Sequence, residues 1–228
     1  DNLVHANPVL NKHSAPYTIF IAPNLMDGTA CIWWEAIEQI VASRDNLMVQ
    51  IDGENALLDC SSVPEKHRSF NILIDWMTKR VDEEDVQARI GELCQLNRID
   101  PGQLTRDQIM SWDELHQIAA DPHCTIGAHT MNHAAGARLK PEAALAEMVQ
   151  SATVLEAHFG ARPKHFAYPY GYKAAAGARD FELAHAAGFV SAVTTRPGLL
   201  YPQHRDHLTA LPRDSANGLF QKMRKFGP

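Results

Sequence analysis

Apolar positions along the chain recur with two spacings, and their alternation predicts helices and strands in turn. Leu3, Val9 and Leu10 predict a helix within residues 1–15, closed by Pro16. Tyr17-Thr-Ile-Phe-Ile-Ala22 is a near-continuous apolar run and predicts a buried strand, followed by a loop at Pro23 and Asp27-Gly28. Trp33, Trp34, Ile37, Ile40 and Val41 then fall at helical spacing, to about Ser43. Between 45 and 110 short apolar stretches alternate with charge, giving a hairpin strand at Leu47–Ile51 and helices between Ile72 and Leu96. Ser111 caps a further helix with Asp113 and Glu114 in its first turn and Leu115 and Ile118 on its apolar side. Strands are predicted at Cys124–Ile126, from His165, and over Phe189–Thr195, with a last extended piece at His207–Arg213. A long helix opens at Pro141, carries Ala144, Leu145, Met148, Ala152 and Leu155 on one face and stops at Gly160; a small one covers 177–187.

Helix and strand alternate nearly throughout, which is the mark of crossover units around a parallel sheet or barrel. The 228 residues, 45% hydrophobic, suit one α/β domain spanning 1–228, with a mostly helical insertion at about 45–110 that carries no chemical motif. The net charge is −6 and the basic residues are scattered apart from Lys222-Met-Arg-Lys225, so nucleic acid is not an expected partner. No apolar run has the roughly 20 residues that span a bilayer. Cys31, Cys60, Cys94 and Cys124 show no C-x-x-C spacing, which argues against a zinc ribbon.

Two stretches carry chemistry. In Cys124-Thr-Ile-Gly-Ala-His-Thr-Met-Asn-His133 a strand ends at Gly127 and is followed by imidazoles at i and i+4, His129 and His133. Two neutral imidazoles can grip one divalent transition metal and leave positions for a carboxylate and water. A bare His-x-x-x-His arises by chance among twelve histidines, but its position just after a strand is where parallel sheets place their sites. His165-Phe-Ala-Tyr-Pro-Tyr-Gly171 likewise ends a strand in a turn, holding Tyr168 and Tyr170 at the same edge. The Trp33-Trp34 pair suits either sugar stacking or core packing, and core packing is the commoner use.

Ile126-Gly-Ala-His-Thr-Met-Asn-His133 and Phe166-Ala-Tyr-Pro-Tyr-Gly171 resemble the His-(Ser/Thr)-x-x-His and Tyr-Pro-Tyr-Gly motifs of polysaccharide deacetylases of the NodB homology type, carbohydrate esterase family four. The resemblance extends over nearly the whole chain and is weakest at 45–105. It implies a distorted (β/α) barrel of about seven strands with a metal at its carboxyl rim. It further implies a zinc ion, or cobalt or nickel, held by His129 and His133, with Thr130 supporting the loop, and water attacking an N-acetyl or O-acetyl carbonyl of a poly- or oligosaccharide. Tyr168, Pro169 and Tyr170 would bind substrate, and the Tyr170 N–H would steady the oxyanion.

The chain departs from the family pattern in three places. Phe-Asp-Asp-Gly, which supplies the catalytic base and the third ligand, does not occur, and Asp1-Asn2 resembles the tail of its longer form. The expectation is therefore that the first strand and its carboxylates lie upstream of Asp1. Ala167 stands where an arginine often precedes Tyr-Pro-Tyr, leaving Arg213 or Arg196 to supply a guanidinium. For the catalytic acid, usually a C-terminal histidine, His204 and His207 are the internal candidates. Two other classes stay open: a non-catalytic carbohydrate-binding relative, and a metal-dependent amidohydrolase of a small molecule.

Overall fold

The computed structural model describes residues 2–215; Asp1 and the basic stretch 222–225 lie outside them. Strands run at β1 (Tyr17–Ile21), β2 (Asn46–Ile51), β3 (Glu54–Asp59), β4 (Cys124–Ala128), β5 (His165–Ala167) and β6 (Ser191–Val193). Helices are α1 (Asn7–Lys12), α2 (Pro23–Met26), α3 (Trp33–Ala42), α4 (Val63–Lys79), α5 (Val86–Leu96), α6 (Pro101–Gln108), α7 (Trp112–Ala119), α8 (Pro141–Phe159) and α9 (Ala178–Ala186).

Four strands form one parallel sheet in the order β1-β4-β5-β6, so the runs at Tyr17, Cys124, His165 and Ser191 lie side by side with their carboxyl ends on one rim. Parallel neighbours need long crossovers. α8 connects β4 to β5 and α9 connects β5 to β6, while α7 feeds β4. α7 begins with a reciprocal cap: Ser111 Oγ accepts from Glu114 N at 3.3 Å, and Glu114 Oε2 accepts from Ser111 N at 2.7 Å. α8 ends at Gly160, whose φ of 70° is the left-handed turn a helix stop uses.

The sheet is an α/β layer, and among the described residues its four strands stay open, so the expected distorted barrel of about seven strands is not seen in them. Beyond β6 only an isolated parallel bridge, Val193 to Leu211, continues the sheet, and most of 202–210 winds into 3-10 turns. The extended piece expected over His207–Arg213 is therefore confined to its last residues.

Two of the four apolar clusters among the described residues are large. One lies under the sheet, where Leu115, Met148, Ala152 and Leu155 pack on Phe166, Tyr168 and Phe189. The other lies between α3, the β2–β3 hairpin, α4 and α5, built from Ile37, Ile40, Leu47, Val49, Leu73, Met77 and Ile90. Burying each such Leu or Ile contributes about 1.5–3 kcal/mol. The hairpin pairs Asn46–Ile51 with Glu54–Asp59 across an Asp52-Gly53 turn in which both residues have positive φ, the backbone such a two-residue connection demands. Leu47 and Val49 face in while Met48 and Gln50 face out, the period-two pattern of a half-buried strand.

Candidate active site at the carboxyl rim of the sheet

β4 delivers the first histidine because of its glycine. A Cβ on Gly127 would lie 2.5 Å from Phe20 Cδ1 and 3.1 Å from His165 O, so only glycine lets β4 lie against its neighbours here. His129 follows at once, and its N–H donates to Ile21 O at 2.9 Å, extending the sheet ladder by one step. The chain then turns sharply: Thr130 and His133 both have left-handed backbones, φ 61° and 58°.

Side chains hold that turn from several sides. Thr130 Oγ1 donates to His129 O at 2.6 Å and accepts from Ala134 N at 3.1 Å. Glu147 on α8 accepts from Met131 N, Asn132 N and Asn132 Nδ2 at 2.8, 3.0 and 2.6 Å. Asn24 Nδ2 donates to Asn132 Oδ1 at 2.7 Å. From the helical region, buried Glu83 accepts from Ala135 N and from Arg138 Nη1, each at 2.7 Å. Burial raises the Glu83 pKa, opposed by the Ala135 N–H and the Arg138 charge.

The result is a pair of imidazoles with ring centroids 4.7 Å apart. Both residues are partly buried, and desolvation lowers the pKa of His129 to about 4 and that of His133 to about 3. Both are therefore neutral at neutral pH, the state in which a nitrogen lone pair is free for a metal. His129 Nδ1 lies 2.6 Å from Ala167 O; a carbonyl can only accept, so Nδ1 carries the proton and Nε2 keeps its lone pair. His133 Nδ1 is buried with no hydrogen-bond partner. These donors fit two positions around a divalent ion. Among the described residues no group of three or more His, Cys, Asp or Glu is gathered to hold one, so no third side-chain ligand of these kinds stands beside the pair.

β5 brings the second stretch to the same rim. Tyr170 has a left-handed backbone, φ 60°, and its ring stands edge-on to His133 at 4.9 Å. Gly171 closes the turn at φ 62°, where a Cβ would sit 2.5 Å from Thr195 N. Trp33 Nε1 donates to the Tyr170 hydroxyl at 2.9 Å, and the Trp34 ring lies 5.0 Å from His133. Both motifs and the paired tryptophans thus meet at one place.

The family model for polysaccharide deacetylase matches residues 77–189, a span that contains both stretches. Residues 77–189 belong to the polysaccharide deacetylase family. No curated protein matches the chain. Among solved structures, the chain is similar to IcaB from Ammonifex degensii at 16% identity and a TM-score of 0.51, over 96% of this chain and 64% of that one. It is similar to the BpsB deacetylase domain from Bordetella bronchiseptica at 13% identity and a TM-score of 0.50, over 93% and 65%. A de-N-acetylase from Aggregatibacter actinomycetemcomitans is similar at 10% identity and a TM-score of 0.50, over 98% and 69%. At these identities the likeness is one of fold, and the chain spans under two thirds of the length of the first two.

The carboxyl rim of the sheet sorts the residues expected to act there. Tyr168, expected in a sugar pocket, is instead 1% exposed; it packs on Phe166 and Phe181, and its hydroxyl donates to Thr209 O at 2.8 Å. Strand alternation alone would send Tyr168 and Tyr170 to the same side, but β5 ends at Ala167 and the left-handed backbone at Tyr170 breaks the alternation, so only the second ring reaches the rim. Pro169 is buried too. Of the two arginines, Arg213 is the one whose charge reaches His129 and helps lower its pKa; its Nε donates to Thr194 O at 2.8 Å. Arg196 turns away, donating to Ala176 O and lying 5.1 Å from the Phe181 ring centre. His204 and His207 fall in and just after the turn at 202–206, where His204 pairs with Tyr201.

Sequence pattern did not single out Glu83 or Glu147 as parts of this site, and it left Trp34 between sugar stacking and core packing. Glu147 had a trace in the sequence, being a lone acid in the apolar stretch of α8. Glu83 sits in an acidic run, Asp82-Glu-Glu-Asp85, and nothing local separates the buried member from the solvated ones.

Proposed function

We propose that this chain is a metal-dependent hydrolase that removes acetyl groups from a poly- or oligosaccharide. The observation that carries this reading is the convergence of two neutral imidazoles, one with its tautomer set by Ala167 O and the other with an unpartnered buried nitrogen, on the rim of a polysaccharide deacetylase segment. His129 and His133 would hold a divalent ion, zinc first and cobalt or nickel as substitutes. Such an ion supplies polarisation of the acyl carbonyl and acidification of water. Its coordination needs an acidic partner, which a carboxylate from outside residues 2–215 would provide.

The chain's own residues orient the reaction. Thr130, Glu147 and Glu83 hold the turn that carries the two imidazoles, whose rings lie 4.7 Å apart. The Tyr170 N–H, at a turn beside His133, would face the developing oxyanion, and the Arg213 charge would favour the anionic form of an acid next to His129. In this reading the open sheet is the described part of a distorted barrel of the NodB type. The test is acetate release from acetylated sugar oligomers after chelation and after adding back zinc, cobalt or nickel. Loss of release in both His129→Ala and His133→Ala is expected, and undiminished release in either would remove the ligand assignment.

A further inference from the structure

We infer that Trp34 is the carbohydrate-recognition residue of this site, stacking its indole on the sugar ring whose acetyl group reaches the histidine pair; this rests on the reading proposed above. Adjacent tryptophans on α3 have opposite fates. Trp33 is 5% exposed, belongs to the core between the helices and commits its indole N–H to Tyr170. Trp34 is only partly covered, stands nearly perpendicular to Trp33 at 5.6 Å, and leans on His133 at 5.0 Å with the planes 51° apart.

Its indole N–H is the second clue. Trp33, Trp76 and Trp112 donate theirs to Tyr170, Asp52 and Asp27. Among the described residues no acceptor takes that of Trp34, and the nitrogen is not among the buried unsatisfied atoms, so solvent reaches it. A large ring with one apolar face, one free donor and little rotamer freedom left to lose is what recognition of a polyhydroxylated ring uses.

The neighbouring rings extend the platform. Tyr170 stands 4.9 Å from His133, and Tyr172, 43% exposed, lies 6.3 Å beyond Tyr170. Trp34, His133, Tyr170 and Tyr172 thus form one run of neighbouring rings longer than a single acetamide, which favours an oligomer.

Binding of a short N-acetylhexosamine oligomer, followed by titration calorimetry, tests this. Trp34→Ala should weaken binding at least about tenfold, or about 1.4 kcal/mol, and should erase the preference for the oligomer over N-acetylethanolamine. Trp34→Phe, which keeps the ring and drops the N–H, should stay within about threefold of the parent protein, or about 0.7 kcal/mol. If circular dichroism shows Trp34→Ala to be unfolded, Trp34→Leu carries the same comparison. Equal binding by the folded non-aromatic variant, or no binding by the parent chain, overturns the inference. Acetate release by His129→Ala is read separately: a change there with unaltered binding in the Trp34 variant would leave the hydrolase reading standing and this one refuted, and the reverse pattern would do the opposite.

Discussion

The sheet side of the molecule and its helical flank build the same site by different means. On the sheet side each contribution is local: Gly127 lets β4 approach Phe20, His129 and His133 lie four residues apart on one turn, and Tyr170 and Gly171 share a left-handed corner. The flank from α3 to α6 holds its own apolar core and no chemical motif, yet it supplies Trp33 and Trp34 as a wall and Glu83 as a brace. Chemistry-bearing residues can thus be recognised where the backbone positions them. Those that position or enclose them come from wherever a second core presents a surface.

If the two regions are energetically joined through the site, the largest effect belongs to their hinge. Trp33→Ala removes a buried indole and its bond to Tyr170, and should destabilise the chain by about 3–5 kcal/mol in urea unfolding. Tyr170→Phe deletes only the acceptor, so about 0.5–1.5 kcal/mol is expected if the tie matters less than the packing. A loss for Trp33→Ala under about 1 kcal/mol would show that the regions are energetically separate.

Next in size is the brace from the sheet side. Glu147→Ala leaves the Met131 and Asn132 amides without their acceptor, which costs about 1–3 kcal/mol for each amide that stays buried. Glu83→Ala asks the same of the flank and also strands Arg138, so it should cost at least as much. Zinc affinity measured alongside should fall in both variants if the turn is prebuilt by these carboxylates. Affinity that survives both would mean that the imidazoles converge without them.

The gentlest probe is pH. The pKa values of His129 and His133 are lowered from 6.5 to about 4 and about 3, so as pH falls the unfolded chain takes up these protons first. Their contribution is fully present above pH 6.5 and is lost progressively toward pH 4 and 3. The melting temperature of metal-free protein should fall through that window, and His133→Asn should flatten the decline. An unchanged slope would place the imidazoles in ordinary solvent.

The strands at Tyr17, Cys124 and His165, the capped helix at Ser111 and the long helix from Pro141 to Gly160 were all legible in the chain, because each rests on periodicity, caps and turn residues that act within a few positions. The same locality made His129, His133 and the corner at Tyr170 readable. Whether the sheet closes was not readable, since closure depends on where 202–213 travels, and those residues chose 3-10 turns with a single bridge at Leu211. Nor could local pattern decide between Tyr168 and Tyr170, or between Trp33 and Trp34: in each pair one ring is sealed in a core and the other stands at the rim. Burial is a property of what packs on a residue, and here the packing partners are as far apart in sequence as Trp33 and Tyr170.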